Sequence, residues 1–476
     1  LFFDGICGMD DLHHLRFAAS WDQWPANHWE SRLFFNAVLR GSILTFGYNE
    51  ASSAVPTLLA SLMMLLGGMA FAWRQWRSDT MLLITGLLLA ILPNDIFFST
   101  TPTARLFAAS FAVMGMFLLL SGSGWRWTVS AGIFLALAIW AHLFIVYFVL
   151  IVIFTAWLMG RLSIKSSLAV FGLTFGLYAV LEFGIYLLWT GDPLYEFKVI
   201  QKTHLAVVDV SHRLLRTPQG SINWAFFIQP IRDLIFSKFF SLLGGLAIVG
   251  GLATWRKRSG VVRTMLVVVI LDWLWMSFGS QTPRQYHPFP ETTDYWHPLG
   301  PLFVLIVSEM IAGIKKASLR YTSVAALAAI NLGLLSFSGE WGQNVEISRE
   351  LLTYARANPA TLLVTDDRTI TQIYMLNHLT LPENLRTIPE SRGPLFVESA
   401  PRYNAAEGPS LLMVNALNNR PQDTTLKWIT NRCGETIYQT PPRYRLATII
   451  LPKAYRQSHP WTLRKPPAKV CRWTKM

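Results

Sequence analysis

The chain has 476 residues, of which 52% are hydrophobic and only 14% charged, and its formal net charge is +13. Soluble domains carry about a quarter charged residues, so composition excludes a string of ordinary water-soluble domains. The positive excess would suggest nucleic acid in a soluble protein. Here the basic residues cluster in short loops between apolar runs, as the positive-inside rule expects of a polytopic membrane protein.

The first feature along the chain is CGMDDLHHLRFAASW, from Cys7 to Trp21. Asp10, Asp11, His13 and His14 put four ionisable groups in five positions. In a helix, Asp10, His13 and His14 share one face. Two readings are open from these residues alone. One is a carboxylate acting as general base; the other is a solvated helix start with Asp at its cap. An Asp pair with histidines is a weak metal pattern. No cofactor is expected, and a divalent ion is an option the pattern leaves open without requiring it.

A hydrocarbon core needs about 20 apolar residues to cross. Runs of that kind are expected to span at about 55–73, 80–98, 104–121, 168–189, 236–254, 264–281, 297–313 and 322–338. The stretch 127–159 is too long for one crossing at ~1.5 Å per residue. Arg126 precedes it, and Arg161 and Lys165 follow it, so it must cross twice and turn near Ala141-His142. That gives ten spans. Arg74 and Arg77, Arg126, Arg161 and Lys165, Arg256, Lys257, Arg258 and Arg263, and Lys315, Lys316 and Arg320 then share the cytoplasmic side. The opening segment, the turn NDIFFSTTPTAR, the 190–235 loop, the 281–297 loop and the tail fall outside. An outer start implies one further span ahead of Leu1, about eleven in the whole protein. Within 190–235, YEFKVIQKTHLAVVDVSHRLLR reads either as an amphipathic interfacial helix or as an exposed connector. INWAFFIQPIRDLIFSKFF reads as interfacial.

The character changes near residue 340. NPATLLVTDDRTITQIYML reads as strand, turn and helix, and PSLLMVNAL and YRLATIILP as further strands. The expected architecture is a mainly α polytopic transmembrane helix bundle over 1–339, carrying the outer loops, followed by a small extracytoplasmic α/β domain over 340–476. Asp366 or Asp367 is expected to cap the helix after its strand rather than bind a nucleotide sugar. Cys433 and Cys471 form a disulfide or stay free, and spacing does not decide which.

MDDLHHLRFAASW resembles the first-loop motif of the protein O-mannosyltransferases, in which Asp-Glu precedes a His and a basic-Phe-Ala run. Asp10, His13, Arg16, Phe17 and Ala18 fall in register, and Asp11 stands where that family has Glu. The bacterial aminoarabinose transferases that modify lipid A share the acidic pair. Both belong to the GT-C class of membrane glycosyltransferases. LPNDIFFSTTPTARLFAASF is similar to their second outer turn, and TTDYWHPLGPLFVLIV to the aromatic-proline lead-in to a late span. No MIR-type insertion is present, which points to a bacterial relative in the inner membrane with its active site on the periplasmic side.

The resemblance implies an inverting transfer of a sugar from a polyprenyl-phosphate-linked donor to a lipid, glycan or protein acceptor, with no nucleic acid involved. Asp10 is the expected base, with Asp11 beside it as the departure from the motif. Binding groups for substrate and leaving phosphate are expected among His13, Arg16, Arg105, His142, Lys198, Lys202, Arg284, His287, Tyr295 and His297. Arg105 and Arg284 lead because a guanidinium fork binds two phosphate oxygens. Glu182, Asp272 and Glu309 lie in or near spans and receive no role. An oligosaccharyltransferase-like enzyme is the nearest alternative, although its acid-x-acid pattern is missing. A transporter or lipid flippase is the alternative from another class, although no matching repeated half is visible.

Overall fold

The computed structural model describes residues 9–21, 24–122, 124–202, 222–237, 239–280, 289, 293–337, 343–357, 359, 362–365, 367–377, 380–387, 410–414, 435–439 and 462–465. The chain divides into two compact units. The first holds residues 13–47 and 51–335; the second holds 6–12, 48–50 and the chain from 336 onward.

The first unit is a helical bundle. Its elements are most of α1 (Met9–Ala19), α2 (Leu33–Phe46), α3 (Glu50–Trp76), α4 (Asp79–Ala90), α5 (Pro93–Ser99), α6 (Ala104–Ser121), α7 (Trp125–Ala141), α8 (Ile145–Leu158), α9 (Ile164–Thr190), α10 (Trp224–Ile235), α11 (Leu243–Ala253), α12 (Gly260–Phe278), α13 (Leu299–Ala312) and α14 (Ala317–Phe337). Five of these are long and apolar enough to cross a membrane: α3, α6, α9, α12 and α14. Leu44, Leu66, Leu83, Leu188 and Val249 are each more than 60% exposed. Such bare aliphatic side chains on helices this apolar fit a lipid-facing bundle.

The stretch 127–159 divides into two helices as expected, although both are shorter than the candidate membrane spans. Helices α7 and α8 break apart at His142, whose backbone is extended. With 17 and 14 residues, they measure about 26 and 21 Å, short of a ~30 Å hydrocarbon core. Their turn ends inside the bundle, and His142 is 5% exposed.

The expected single span over 80–98 is instead a broken one. Helices α4 and α5 meet at a 52° bend. The cause is Pro93, which takes the first position of α5 and holds Leu92 extended before it. The bend turns Asn94 and Asp95 onto the first turn of α5, and both are buried. The run expected at 236–254 shortens to Leu243–Ala253 and contains a π-helical segment, Leu246–Gly250. Helix α2 went unrecognised as an apolar element.

Small residues set the closest approaches in the bundle, as is usual where lipid removes the hydrophobic drive for helix association. A Cβ on Gly115 would sit 2.7 Å from Leu135, and one on Gly132 would sit 2.7 Å from Leu173. At Gly244 the neighbour is backbone rather than a flexible side chain, because a Cβ there would lie 2.4 Å from the backbone carbonyl oxygen of Leu234. That oxygen belongs to α10, whose exposed Trp224, Ile228, Ile231 and Ile235 leave Phe226, Pro230 and Leu234 to face the bundle. Gly244→Ala is therefore expected to cost about 1–3 kcal/mol as overpacking. Thermal unfolding in detergent checks it: an unchanged midpoint would show that α10 shifts freely.

The second unit carries a five-stranded sheet in the order β2-β1-β3-β5-β4. The strands are β1 (Leu362–Thr365), β2 (Leu385–Thr387), β3 (Ser410–Val414), β4 (Glu435–Gln439) and β5 (Thr462–Lys465). Strands β2, β1 and β3 are parallel, while β5 and β4 add antiparallel. Helices α15 (Gln343–Ala357) and α16 (Asp367–Leu376) bury Leu351, Leu352, Ile370 and Ile373 with Leu385. The strand and helix expected around TDDR are both present, with Asp367 opening the helix. The strand expected over YRLATIILP lies outside the described residues, as do Cys433 and Cys471.

Candidate functional site

The acidic pair lies on the first turns of α1. Asp11 is 7% exposed; the side chain of Asp10 lies outside the described residues. The histidines that follow belong to the first unit and head a polar network there. Arg32 Nη1 lies 3.2 Å from His14 Nε2, and His14 Nδ1 lies 2.8 Å from Asn36 Oδ1. A guanidinium can only donate, so His14 Nε2 accepts and the ring proton sits on Nδ1, donating to Asn36. Asn36 Nδ2 in turn donates to the carbonyls of Trp29 and Glu30. Burial, and then the Arg32 charge, hold His14 neutral by lowering its pKa well below the ordinary value. Outside this chain, Arg16 Nη2 donates to Glu30 Oε1 at 2.8 Å, and Glu30 Oε2 accepts from Ala26 N. His13 stacks on Trp29, with ring centroids 4.6 Å apart and planes 3° from parallel.

A second group lines a small cavity in the bundle. Arg105, His142, Tyr295 and His297 form its polar wall, and Phe144, Phe148 and Met276 are among its apolar lining. Four of the residues expected at the site are thus brought together from α6, the α7–α8 turn and the lead-in to α13. The Arg105 guanidinium lies 5.0 Å above the Tyr295 ring. Asn94 Nδ2 donates to His297 Nδ1 at 2.7 Å, which leaves the ring proton on Nε2. That Nε2 is buried and has no partner among the described residues, and neither does Nε2 of His142. The cavity therefore offers one fixed cation, a donor at His297 and an unpaired ring nitrogen at His142, within largely apolar walls. Such a site favours an anion with several acceptor oxygens, because charge-assisted hydrogen bonds strengthen where water is excluded.

The other expected residues fall elsewhere. His13 and Arg16 belong to the first-loop network, where Arg16 is engaged by Glu30. Lys202 is exposed at the end of a helix over 195–202, and Lys198 pairs with Asp192 at 2.5 Å. Arg284 and His287 lie outside the described residues. Sequence reasoning missed Glu30, Arg32, Asn94 and Asp95. For Asn94 and Asp95 the signal was the Leu-Pro break just ahead of them. Asp95 Oδ2 accepts from Ser61 Oγ at 2.5 Å, while Oδ1 is buried without a partner. Glu309 serves the packing of the bundle, since it accepts from Trp76 Nε1 and Ser259 N and lies 3.7 Å from Arg258. Among the described residues no three His, Cys, Asp or Glu side chains group so as to hold a metal ion.

The buried histidines carry a consequence for stability. Burial, and then Arg105, push His297 down to about 3. A histidine that stays neutral when folded is protonated in the unfolded chain below pH ~6.5, so acid favours unfolding. Between pH 6.5 and 5 the His297 site alone is expected to cost about 2 kcal/mol of stability, and His14 acts in the same direction. Thermal midpoints across that range, with and without His297→Gln, check it. A wild-type midpoint that is flat down to pH 5 would contradict the neutral assignment.

No family model matches the chain, and no curated protein does. Solved structures do. Its fold is similar to that of ArnT from Cupriavidus metallidurans bound to undecaprenyl phosphate, with a TM-score of 0.52 and 12% identity over 92% of this chain and 93% of that one. The apo structure of the same protein matches with a TM-score of 0.51, again at 12% identity, over 91% of this chain and 92% of that one. Across nearly all of its length, this chain has the fold of ArnT.

Proposed function

We propose that the chain is an integral-membrane glycosyltransferase of the GT-C class. It moves a sugar from a polyprenyl-phosphate donor to a hydroxyl of a lipid, glycan or protein acceptor, with inversion. The observation that carries this reading is the Arg105–His142–His297 cavity, set in the fold of a protein captured with undecaprenyl phosphate. The first-loop motif resembles that same class.

In the reaction, the acceptor oxygen bonds to the anomeric carbon as the bond from that carbon to the phosphate oxygen breaks. The hydroxyl proton goes to Asp10, and the electron pair leaves on polyprenyl phosphate. Arg105, with the His297 N–H, stabilises the charge that develops there. The apolar lining excludes water, which would otherwise compete as acceptor.

The basic residues support an extracytoplasmic active site. Helix α6 begins beside Arg105 and ends towards Arg126; α7 returns from Trp125 to His142. The cavity groups therefore sit at the opposite helix ends from the Arg74, Arg126, Arg161 and Lys315 loops, which the positive-inside rule assigns to the cytoplasm. By the same rule the site faces away from the cytoplasm, which in the bacterial relative that the resemblance implies is the periplasmic side of the inner membrane.

Mass spectrometry of lipid-linked and envelope glycans, from cells with and without the gene, tests the reading. Loss of one sugar from one acceptor names the product. An unchanged glycan profile would overturn the transferase and leave the flippase alternative.

A further inference from the structure

The break between α4 and α5 does more than bend a span. Pro93 opens α5 at the 52° bend, and Asn94 follows it, 1% exposed. Two bonds hold Asn94. Its backbone N–H donates to the Phe239 carbonyl at 2.8 Å. Its Nδ2 lies 2.7 Å from Nδ1 of His297, 203 residues further along the chain. Phe98 holds the imidazole on another side, with its ring at 88° and the centroids 4.7 Å apart. Of this group, His297 lines the cavity and Asn94 does not.

An amide NH2 only donates, so Nδ1 of His297 accepts. A ring that accepts at Nδ1 is neutral, and its one proton is on Nε2. Turning the Asn94 amide over would reverse this, with Oδ1 set against a protonated Nδ1. It would also exchange an unmet acceptor, which Oδ1 now is, for an unmet donor, the rarer of the two in protein interiors. The amide is therefore held as it stands. At Nε2 the ring then presents a donor rather than a lone pair, and no acceptor meets it among the described residues. A buried N–H left without an acceptor is destabilising, and a phosphate oxygen in the cavity removes that deficit. A lone pair at the same place would repel the phosphate.

We infer that Asn94 is a positioning residue for the transfer: it fixes His297 as a donor at Nε2, so that a neutral ring on the cavity wall binds the carrier phosphate together with Arg105. This role rests on the transferase reading for its ligand, while the place of the ring proton does not.

The test compares the full-length wild type with N94D, N94L and H297A in detergent. Long-range proton–nitrogen correlations of ring-labelled histidine report where each ring proton sits, and the signals lost in H297A identify His297. At mildly alkaline pH the wild-type ring should carry its proton on Nε2. In N94D the proton should move to Nδ1, because a carboxylate accepts where the amide donates. Polyprenyl phosphate should bind N94D about 10- to 100-fold more weakly than the wild type, the worth of one hydrogen bond to a charged group. N94L, which fixes neither form, should lose less. In H297A, which has no ring to orient, N94L should lose nothing further. Equal N94L losses with and without the ring would show that Asn94 acts by packing and would overturn the role, as would unimpaired binding by N94D. A wild-type ring protonated on Nδ1 would overturn it without any variant of Asn94. If the wild type binds no polyprenyl phosphate, the functional reading fails. The spectra then decide separately whether Asn94 sets the ring proton, by its place in the wild type and its move in N94D.

Discussion

Asp10→Asn is expected to lower the rate of sugar transfer by about 10³-fold while donor binding stays intact, within the range typical for loss of a general base. The amide fills the volume of the carboxylate and still accepts a hydrogen bond from the acceptor hydroxyl. It cannot take the proton, so the attacking oxygen must develop positive charge as it bonds to the anomeric carbon. The loss therefore belongs to kcat, and a fluorescent or tritiated polyprenyl-phosphate sugar should bind the variant as it binds the wild type. Asp11→Asn, made in parallel, separates the two acids. Asp11 occupies the position where the resembled motif carries Glu, and it is buried, so its substitution tests support of the loop rather than proton transfer. Unimpaired transfer by Asp10→Asn would sink the base assignment. In that case Asp95, buried with a free carboxylate oxygen, would be the next acid to examine.

The bundle was legible because its elements are encoded by run length and by the spacing of charge. The division of 127–159 followed from Arg126 and Arg161 flanking a stretch too long for one helix, and the two helices do part at His142. The bend at Pro93 was as visible in the sequence, but an apolar run that continues past a proline looks like one span until the chain is seen to turn. Of the site, the residues on separate helices were recoverable as types and not as a set. Arg105, His142, Tyr295 and His297 were singled out because they fall in outer turns, where the resemblance implies groups that bind the substrate and its leaving phosphate. That they share one cavity depends on how α6, α8 and α13 pack, which no local pattern encodes. Glu30 and Arg32 were passed over for the opposite reason: a charged residue in a loop is ordinarily solvated, and only the fold shows these two to be buried.

Arg105→Gln is expected to act at the other end of the reaction, on the departing phosphate, and to cost about 10²–10³-fold in kcat, as the loss of one charge-stabilising donor does elsewhere. Donor and product both carry phosphate, but the charge on the leaving oxygen grows as the bond breaks, so the transition state and the free polyprenyl phosphate depend on Arg105 more than the donor does. The variant should therefore bind polyprenyl phosphate markedly more weakly, and the sugar-linked donor less so. This is the reverse of Asp10→Asn, which leaves phosphate binding alone. Arg105→Lys sharpens the point. A lysine keeps the charge but presents it as a point rather than a planar fork, and it cannot lie over Tyr295 as the guanidinium does at 5.0 Å. If charge alone matters, lysine restores most of the activity; if the geometry held by Tyr295 matters, lysine stays close to glutamine. Titrating each variant with polyprenyl phosphate and following transfer separates these outcomes. Full activity in Arg105→Gln would remove the cavity from the mechanism: His297 is neutral, and among the described residues no other group in its polar wall carries a fixed positive charge against a departing phosphate.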